Sequence, residues 1–120
     1  MEPVRKILFF GEHFEDFYDR QAKGAQEKID QVLNLIVHVE NVPKKFLKHV
    51  ENTDGLYEIR ISFGHSAFRI FCFFDAERTL ILLNGFMKKK KKISKNELLF
   101  AEKRKKEYFV QKSYGDRSHE

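Results

Sequence analysis

Three apolar runs separated by very short polar connections dominate the middle of the chain. They occupy residues 56–63, 67–75 and 79–87. The two connections, Gly-His-Ser and Ala-Glu-Arg, have the length of tight hairpin loops. Consecutive strands joined in this way pair with their neighbours, so the pattern predicts a three-stranded antiparallel meander. A shorter apolar run at residues 4–10 predicts one further strand.

Helical periodicity flanks the predicted strands on both sides. Residues 13–22 and 25–39 carry apolar side chains at the i, i+3, i+4 spacing of a buried helical stripe, interrupted at Gly24. A third helix is predicted from Ser94 to about residue 110, with a weak apolar stripe. Ser94 followed three residues later by Glu97 matches a capping box.

These elements predict an α+β fold of order β-α-α-β-β-β with a C-terminal helix. Two N-terminal helices would pack on a mainly antiparallel four-stranded sheet. The segment 41–54, which contains Pro43, is predicted to be an irregular basic connection. We expect a single domain over residues 1–112. Residues 113–120 are expected to form a disordered tail.

Strand alternation places two arginines inside the predicted sheet. Glu58 and Arg60 lie on the polar face of the first meander strand, while both faces of residues 67–75 are largely apolar. That strand should therefore be central, and Arg69 within it needs a partner. An ion pair with Glu58 or Asp75 and a contact with a phosphate group are both compatible with the sequence.

Positive charge is concentrated near the C-terminus. Residues 88–112 hold eleven Lys or Arg and three acidic residues, whereas the rest of the chain holds more acidic than basic residues. Such a concentration favours binding of a polyanion, although a solvated helix face has the same composition. Alternation continued through the lysines at 88–92 would place alternate members on one side: Lys88, Lys90 and Lys92 with Leu82, Asn84 and Phe86.

Several classes of site have no support in the sequence. Cys72 is the only cysteine and is predicted to be a buried, inert thiol. The five histidines lack metal-ligand spacing, and there is no glycine-rich phosphate loop. We therefore expect no metal and no cofactor. The N-terminus has no signal-peptide pattern and no run is long enough to span a membrane, so a cytoplasmic protein is expected.

A basic and polar sheet surface of this kind suits metal-independent cleavage of RNA. RNA supplies its own nucleophile, the 2′-hydroxyl, and the protein must move protons and offset charge on the phosphoryl oxygens. The candidate catalytic residues are Arg60, Arg69, Lys88, Lys90, Glu58 and His65. The candidate RNA-binding residues are Lys44, Lys45, Lys48, Lys89, Lys91 and Lys92. A surface that only binds nucleic acid would look much the same.

Four stretches carry a family resemblance. They are Gly-Leu-Tyr-Glu-Ile-Arg at 55–60, Phe-Arg-Ile-Phe at 68–71, Leu-Leu-Asn-Gly-Phe-Met-Lys-Lys at 82–89 and the helix at 97–108. Together they resemble the RelE/HigB toxin superfamily, in particular its phage-derived HigB-like branch, over residues 4–110. The resemblance implies a RelE/ParE fold and the toxin of a type II toxin–antitoxin system, which arrests translation by cleaving mRNA on the ribosome.

The resemblance also implies partners and residue roles. The partners would be the ribosome with its mRNA, and a cognate helix-turn-helix antitoxin of the HigA type that carries the toxin to operator DNA; no membrane is involved. Arg60 and Arg69 fall on the family's two strand arginines, and the lysines after Phe86 fall where RelE-type enzymes place further basic residues. The family's C-terminal catalytic tyrosine has no clear counterpart, because Tyr108 lies deep in the last helix.

Two other functions remain open from the sequence. ParE-like toxins share this architecture but inhibit DNA gyrase, and architecture alone does not separate the two activities. The absent C-terminal tyrosine also leaves room for a catalytically weak homologue that keeps only antitoxin or nucleic-acid binding.

Overall fold

A computed structural model of the chain describes residues 2–76, 78–89, 91–92 and 94–117. The elements follow one another in the order β1, α1, α2, β2, β3, β4, β5 and α3. The strands are β1 (Lys6–Phe9), β2 (Leu47–His49), β3 (Leu56–Phe63), β4 (Ser66–Asp75) and β5 (Thr79–Met87). The helices are α1 (His13–Asp19), α2 (Lys23–His38) and α3 (Lys95–Arg117). The α+β class is confirmed.

The predicted meander forms the centre of the sheet. The strand order is β1-β5-β4-β3-β2, and β3, β4 and β5 pair antiparallel. The middle strand, β4, is apolar on both faces, as alternation predicts: Ile70 contacts one core cluster and Phe71 the other. Both residues are fully buried.

The prediction of a four-stranded sheet in the order β-α-α-β-β-β is wrong, because a further strand lies between α2 and the meander. The sheet in the described part of the chain has five strands and is mixed, because β1 pairs parallel to β5. The additional strand, β2, lies within the segment predicted to be irregular and pairs with β3 through Leu47, Lys48 and His49. Three residues are too few to show alternation, so this strand is defined by its partner rather than by its own pattern.

The helices α1 and α2 cover one face of the sheet, as predicted. Phe17, Ile29 and Ile36 are fully buried there against β3, β4 and β5. The boundaries differ from the prediction, because α1 ends at Asp19 and α2 begins at Lys23. Gly24 therefore lies inside α2 and does not interrupt a helix.

The opposite face is covered in part by α3. Ala101 is fully buried in this second core, together with Phe71 and Phe73. The serine half of the predicted capping box is confirmed, since the Glu97 N–H donates to Ser94 Oγ at 3.3 Å, whereas the Glu97 carboxylate accepts from Asn84 Nδ2. Leu99 is 63% exposed, so the weak apolar stripe is only partly buried.

The C-terminal helix is longer than the sequence pattern indicates. It continues to Arg117, so residues 113–117 are helical instead of forming the expected tail, and residues 118–120 lie outside the described part. Tyr108 and Lys112 bind Asp75 on β4, and the helix propagates from this anchored turn by adding backbone hydrogen bonds. No helix within the described residues is both long enough and apolar enough to cross a bilayer.

A β-bulge in β5 changes the expected arrangement of its side chains. Ile70 pairs with Gly85 and Cys72 with Leu82, so two β5 residues stand opposite the single β4 residue between them. Leu82 consequently packs with the α1 and α2 core, whereas Phe86 packs with the α3 core. The prediction that Leu82 and Phe86 share a side is therefore wrong, because the bulge reverses the alternation between them.

Candidate nucleic-acid interface

The helix α3 leaves part of its face of the sheet uncovered, and polar residues occupy that part. Cross-strand pairing aligns Arg60 on β3 with Arg69 on β4, and Arg69 in turn with Phe86 on β5. We call these three residues the arginine row. Residues directly opposite in an antiparallel pair share one face, so all three side chains lie on the α3 side of the sheet.

Neighbouring positions on both sides of the arginine row add further polar groups. Lys48 on β2 stands opposite Glu58 on β3. On the other side the Lys88 N–H donates to the Ala67 carbonyl at 2.8 Å, which continues the β4–β5 pairing by one residue beyond Met87. Lys88 is two residues beyond Phe86 and therefore lies on the same face as the arginine row. Four strands contribute to this surface.

A single carboxylate joins the two arginines. Glu58 Oε1 lies 3.7 Å from Arg60 Nε, and Glu58 Oε2 lies 3.7 Å from Arg69 Nε. Glu58 and Arg69 are buried, at 8% and 7% exposure. Of the two carboxylates predicted as partners of Arg69, Glu58 is the one that pairs with it. Asp75 instead binds Tyr108 and Lys112.

Burial makes Arg69 electrostatically unusual. Desolvation lowers the pKa of its guanidinium, the nearby Glu58 carboxylate opposes that shift, and Arg60 adds to it. The guanidinium nevertheless stays protonated, because arginine is not deprotonated in proteins. Arg69 Nη1 donates to the Phe68 carbonyl at 3.0 Å, while the buried Arg69 Nε has no hydrogen-bond partner among the described residues. A fixed, incompletely neutralised cation results.

Arg60 is the accessible member of the pair. Its side chain is 33% exposed, and its backbone N–H donates to the Phe46 carbonyl at 2.8 Å. That bond holds the preceding loop beside Arg60, and the loop carries the exposed Lys44 and Lys45. Lys45 Nζ lies 5.5 Å from the centre of the Phe46 ring. These two lysines are therefore placed to add positive charge next to Arg60.

The other predicted residues are less closely grouped. Lys89, Lys91 and Lys92 are exposed and lie in or next to the connection between β5 and α3, and Lys90 lies outside the described residues. His65 is exposed at the β3–β4 turn, four residues before Arg69. At roughly 3.3 Å per residue that separation is about 13 Å along the strand. The structure thus groups Glu58, Arg60, Arg69, Lys48 and Lys88, but not His65.

Two residues beside this surface were not anticipated from the sequence. Phe86 is half-buried in the arginine row, where its ring tilts against Phe71 at a centroid distance of 5.2 Å. Arg20, at the end of α1, approaches the lysines after β5 across a cleft. The sequence could have indicated Phe86, since an aromatic residue next to a strand arginine suits stacking with a base. It could not have indicated Arg20, because α1 is far from the lysines in the sequence.

Neither a metal cluster nor a reactive thiol is apparent in the described part of the chain. No group of three or more His, Cys, Asp or Glu side chains there could hold a metal ion. Cys72 is fully buried on β4, and burial raises the pKa of its thiol. The prediction that Cys72 is an inert core residue agrees with this environment.

Comparison with known proteins identifies the family. Residues 16–106 match the family described as phage-derived protein Gp49-like (DUF891). The chain belongs to this family. The Gp49-like family is toxin-like and related to the RelE/HigB-type toxins. The match spans every element from the middle of α1 to the middle of α3, including the whole arginine row. No curated protein matches the chain.

Proposed function

We propose that this Gp49-like protein is the toxin of a type II toxin–antitoxin system that cleaves mRNA on the ribosome and so arrests translation. One observation carries the proposal: Arg60 and Arg69 stand side by side on the uncovered part of the sheet, held by one buried carboxylate. Burying Arg69 directly opposite a second cation is costly, and such cost is typical of sites that use the charge. Family membership supports the toxin role.

The proposed reaction needs no metal. The RNA 2′-hydroxyl loses its proton and attacks the adjacent phosphorus, the P–O5′ bond breaks, and the leaving 5′-oxygen takes up a proton. A 2′,3′-cyclic phosphate and a 5′-hydroxyl end result. The protein contributes proton transfer and charge stabilisation, each of which acts on the transition state.

Residue roles follow from position. Arg60 is exposed enough to bind the scissile phosphate in the bidentate manner that guanidinium allows. Arg69 supplies fixed charge from beneath. Glu58 is the carboxylate nearest to both and is the proposed acceptor of the 2′-hydroxyl proton, while Lys88 is the proposed donor to the leaving oxygen. Lys44, Lys45 and Lys48 would bind flanking phosphates through charge.

Partners follow from the toxin role. A cognate helix-turn-helix antitoxin of the HigA type would neutralise the protein in the cytoplasm, and the pair would bind its operator DNA through the antitoxin. A reading frame of that kind beside the gene is the expected genomic context.

Induction in cells tests the nuclease directly. Expression without antitoxin should arrest growth, and primer extension should reveal new mRNA 5′ ends inside translated codons. Arg60→Ala should lower the cleavage rate about 30- to 1,000-fold, as expected for loss of one group that stabilises transition-state charge. Lys23→Ala, an exposed change outside this surface, is the control and should cleave normally.

Two outcomes would contradict the proposal. Growth arrest with intact transcripts, together with inhibition of gyrase supercoiling by the purified protein, would assign a ParE-like activity instead. Normal growth with the wild-type protein at high expression would leave a homologue without toxin activity.

A further inference from the structure

An open cleft lies along the edge of β5 that pairs with β1. It adjoins the arginine row at Phe86. The parallel partner β1 pairs with β5 only as far as Leu82, and the bond from the Phe10 N–H to the Leu82 carbonyl at 3.1 Å is the last one. Beyond that point no described strand covers this edge of β5. The end of α1 and the connection into α3 form the two walls, enclosing about 800 Å³.

Positive charge dominates the walls of the cleft. Five cations line it: Arg20 from α1, and Lys88, Lys89, Lys92 and Lys95 from the connection and the start of α3. Within the described part of the chain none of the five forms an ion pair. The one acid in the lining is Glu97, whose carboxylate accepts a hydrogen bond from Asn84 Nδ2 at 2.9 Å. Uncompensated cations facing one cavity favour an anion.

The cleft also has apolar lining residues. Phe17 and Met87 contribute from the α1 side of β5 and Phe86 from the α3 side, and Met87 is 45% exposed. Gly85 lets the Phe17 ring lie directly against the strand, because a Cβ at that position would overlap the ring. Apolar side chains at the strand edge together with cationic walls match a nucleotide, which has an apolar base and a charged phosphate.

The position of the cleft suggests which nucleotide it holds. Phe86 belongs both to the arginine row and to the cleft lining, so the two sites meet at the end of β5. A smaller adjoining pocket of about 370 Å³ contains Asp16 as well as Arg20, so the positive charge is concentrated at the lysine end, towards the arginine row. An RNA strand bound at Arg60 could therefore continue over Phe86 into the cleft.

We propose that this cleft binds a nucleotide of single-stranded RNA next to the scissile one, with Arg20 and Lys92 on its phosphate and Met87 against its base, after the strand has passed over Phe86. This inference rests on the proposed nuclease function for the identity of the ligand. The cleft is a second subsite, outside the arginine row.

Binding of an uncleavable RNA tests the subsite. The probe is a fluorescein-labelled hexanucleotide with 2′-O-methyl groups throughout, which lacks the attacking hydroxyl, and fluorescence anisotropy at several salt concentrations gives its Kd. Arg20→Gln and Lys92→Gln should each weaken binding about 3- to 10-fold and reduce the slope of log K against log salt by roughly 0.7, the value for one phosphate of a single strand. Lys23→Gln, exposed on α2 outside the cleft, should bind like wild type.

Crosslinking checks the location. The same oligonucleotide with one 4-thiouridine should crosslink to the peptide that contains Met87, which pairs with Phe68 and so lies on the opposite side of the strand from Arg69. Wild-type affinity in both cleft variants, or crosslinks confined to β3 and β4, would overturn the subsite even if mRNA cleavage is intact. Weakened binding in both variants without any mRNA cleavage by the wild type would keep the subsite and reject the nuclease.

Discussion

Arg60 and Arg69 lie directly opposite each other in the β3–β4 pair, and the Glu58 carboxylate contacts both at 3.7 Å. Like charges in directly opposed positions normally destabilise a sheet. Here the neighbouring carboxylate offsets that repulsion, and the two guanidinium groups share it. One negative charge faces two positive ones, so a net positive charge remains available to an anion outside the protein. Glu58 thus links the stability of the sheet to the proposed phosphate site.

Glu58→Gln should destabilise the protein. The variant keeps the shape of the side chain but leaves two adjacent arginines, one of them buried, without their anion. We expect the free energy of unfolding to fall by about 1–3 kcal/mol. Urea unfolding followed by circular dichroism measures it.

A double-mutant cycle provides the control for this effect. Adding Arg60→Gln to Glu58→Gln removes one of the opposed charges and should restore part of the lost stability. If Glu58→Gln unfolds at the wild-type urea concentration, the carboxylate does not bridge the arginines in solution.

The sequence predicts this part of the sheet well, for a physical reason. The strands β3 and β4 are long, regular and antiparallel, so period-2 alternation places Glu58 and Arg60 on one face of β3, and the tight hairpin makes Glu58 a predicted partner of Arg69. The bulge in β5 has no comparable signal, because residues 80–83, which lead into it, are all apolar and show no alternation. Alternation therefore fails at that point, and with it the predicted side of Leu82.

Long-range pairing explains the other differences. The strand β2 exists because Leu47, Lys48 and His49 find a free edge of β3, and nothing within three residues encodes that partner. Likewise Arg20 reaches the lysines after β5 only because α1 packs its Phe17 against Gly85. Contacts of this kind depend on the assembled fold.

Tyr108→Phe should reveal a pH-dependent contribution to stability. The Tyr108 hydroxyl donates to Asp75 Oδ2 at 2.5 Å, and burial together with this bond raises the pKa of Tyr108 to about 12 from 10.0. Because the folded pKa is the higher one, the contribution is complete below pH 10 and is lost as the pH rises towards 12. The variant should be less stable than wild type at pH 7, and the difference should shrink between pH 10 and 12 in urea unfolding.

Asp75→Asn gives the acid counterpart. The Lys112 ammonium and then the Tyr108 hydroxyl lower the pKa of Asp75 below its ordinary 3.8. A lowered folded pKa stabilises the protein above the unfolded value, and the effect disappears as the pH falls through the folded value. The stability difference between wild type and variant should therefore persist at pH 5 and decline below pH 4. A constant difference across that range would show that Asp75 acts without its charge.

Gly85→Ala should be strongly destabilising although it adds one methyl group. The new Cβ would overlap the Phe17 ring, which is 1% exposed and enclosed by the core, so the ring has no room to move. We expect a loss of about 1–3 kcal/mol in urea unfolding, typical of overpacking.

Gly24→Ala is the matched control for this change. Its Cβ would also meet a phenyl ring, that of Phe63 at 2.5 Å, but Phe63 is 43% exposed and can rotate into solvent. Helix propensity also favours alanine at this position within α2. Gly24→Ala should therefore be close to neutral, and equal losses in the two variants would mean that the core around Phe17 yields as easily as the surface.

Lys88 and Lys91 should differ in effect although both belong to one lysine run. Lys88 is half-buried and fixed by its backbone bond to Ala67, two residues beyond Phe86 of the arginine row, whereas Lys91 is exposed in the following connection. Lys88→Ala should lower the single-turnover cleavage rate on ribosomes by 10-fold or more, roughly the contribution of a positioned proton donor. Lys91→Ala should leave that rate unchanged and weaken only ribosome binding, an effect that fades at high salt. The contrary result is that both changes weaken binding equally and neither lowers the cleavage rate. The lysine run would then bind phosphates through charge alone, and another residue would be the proton donor.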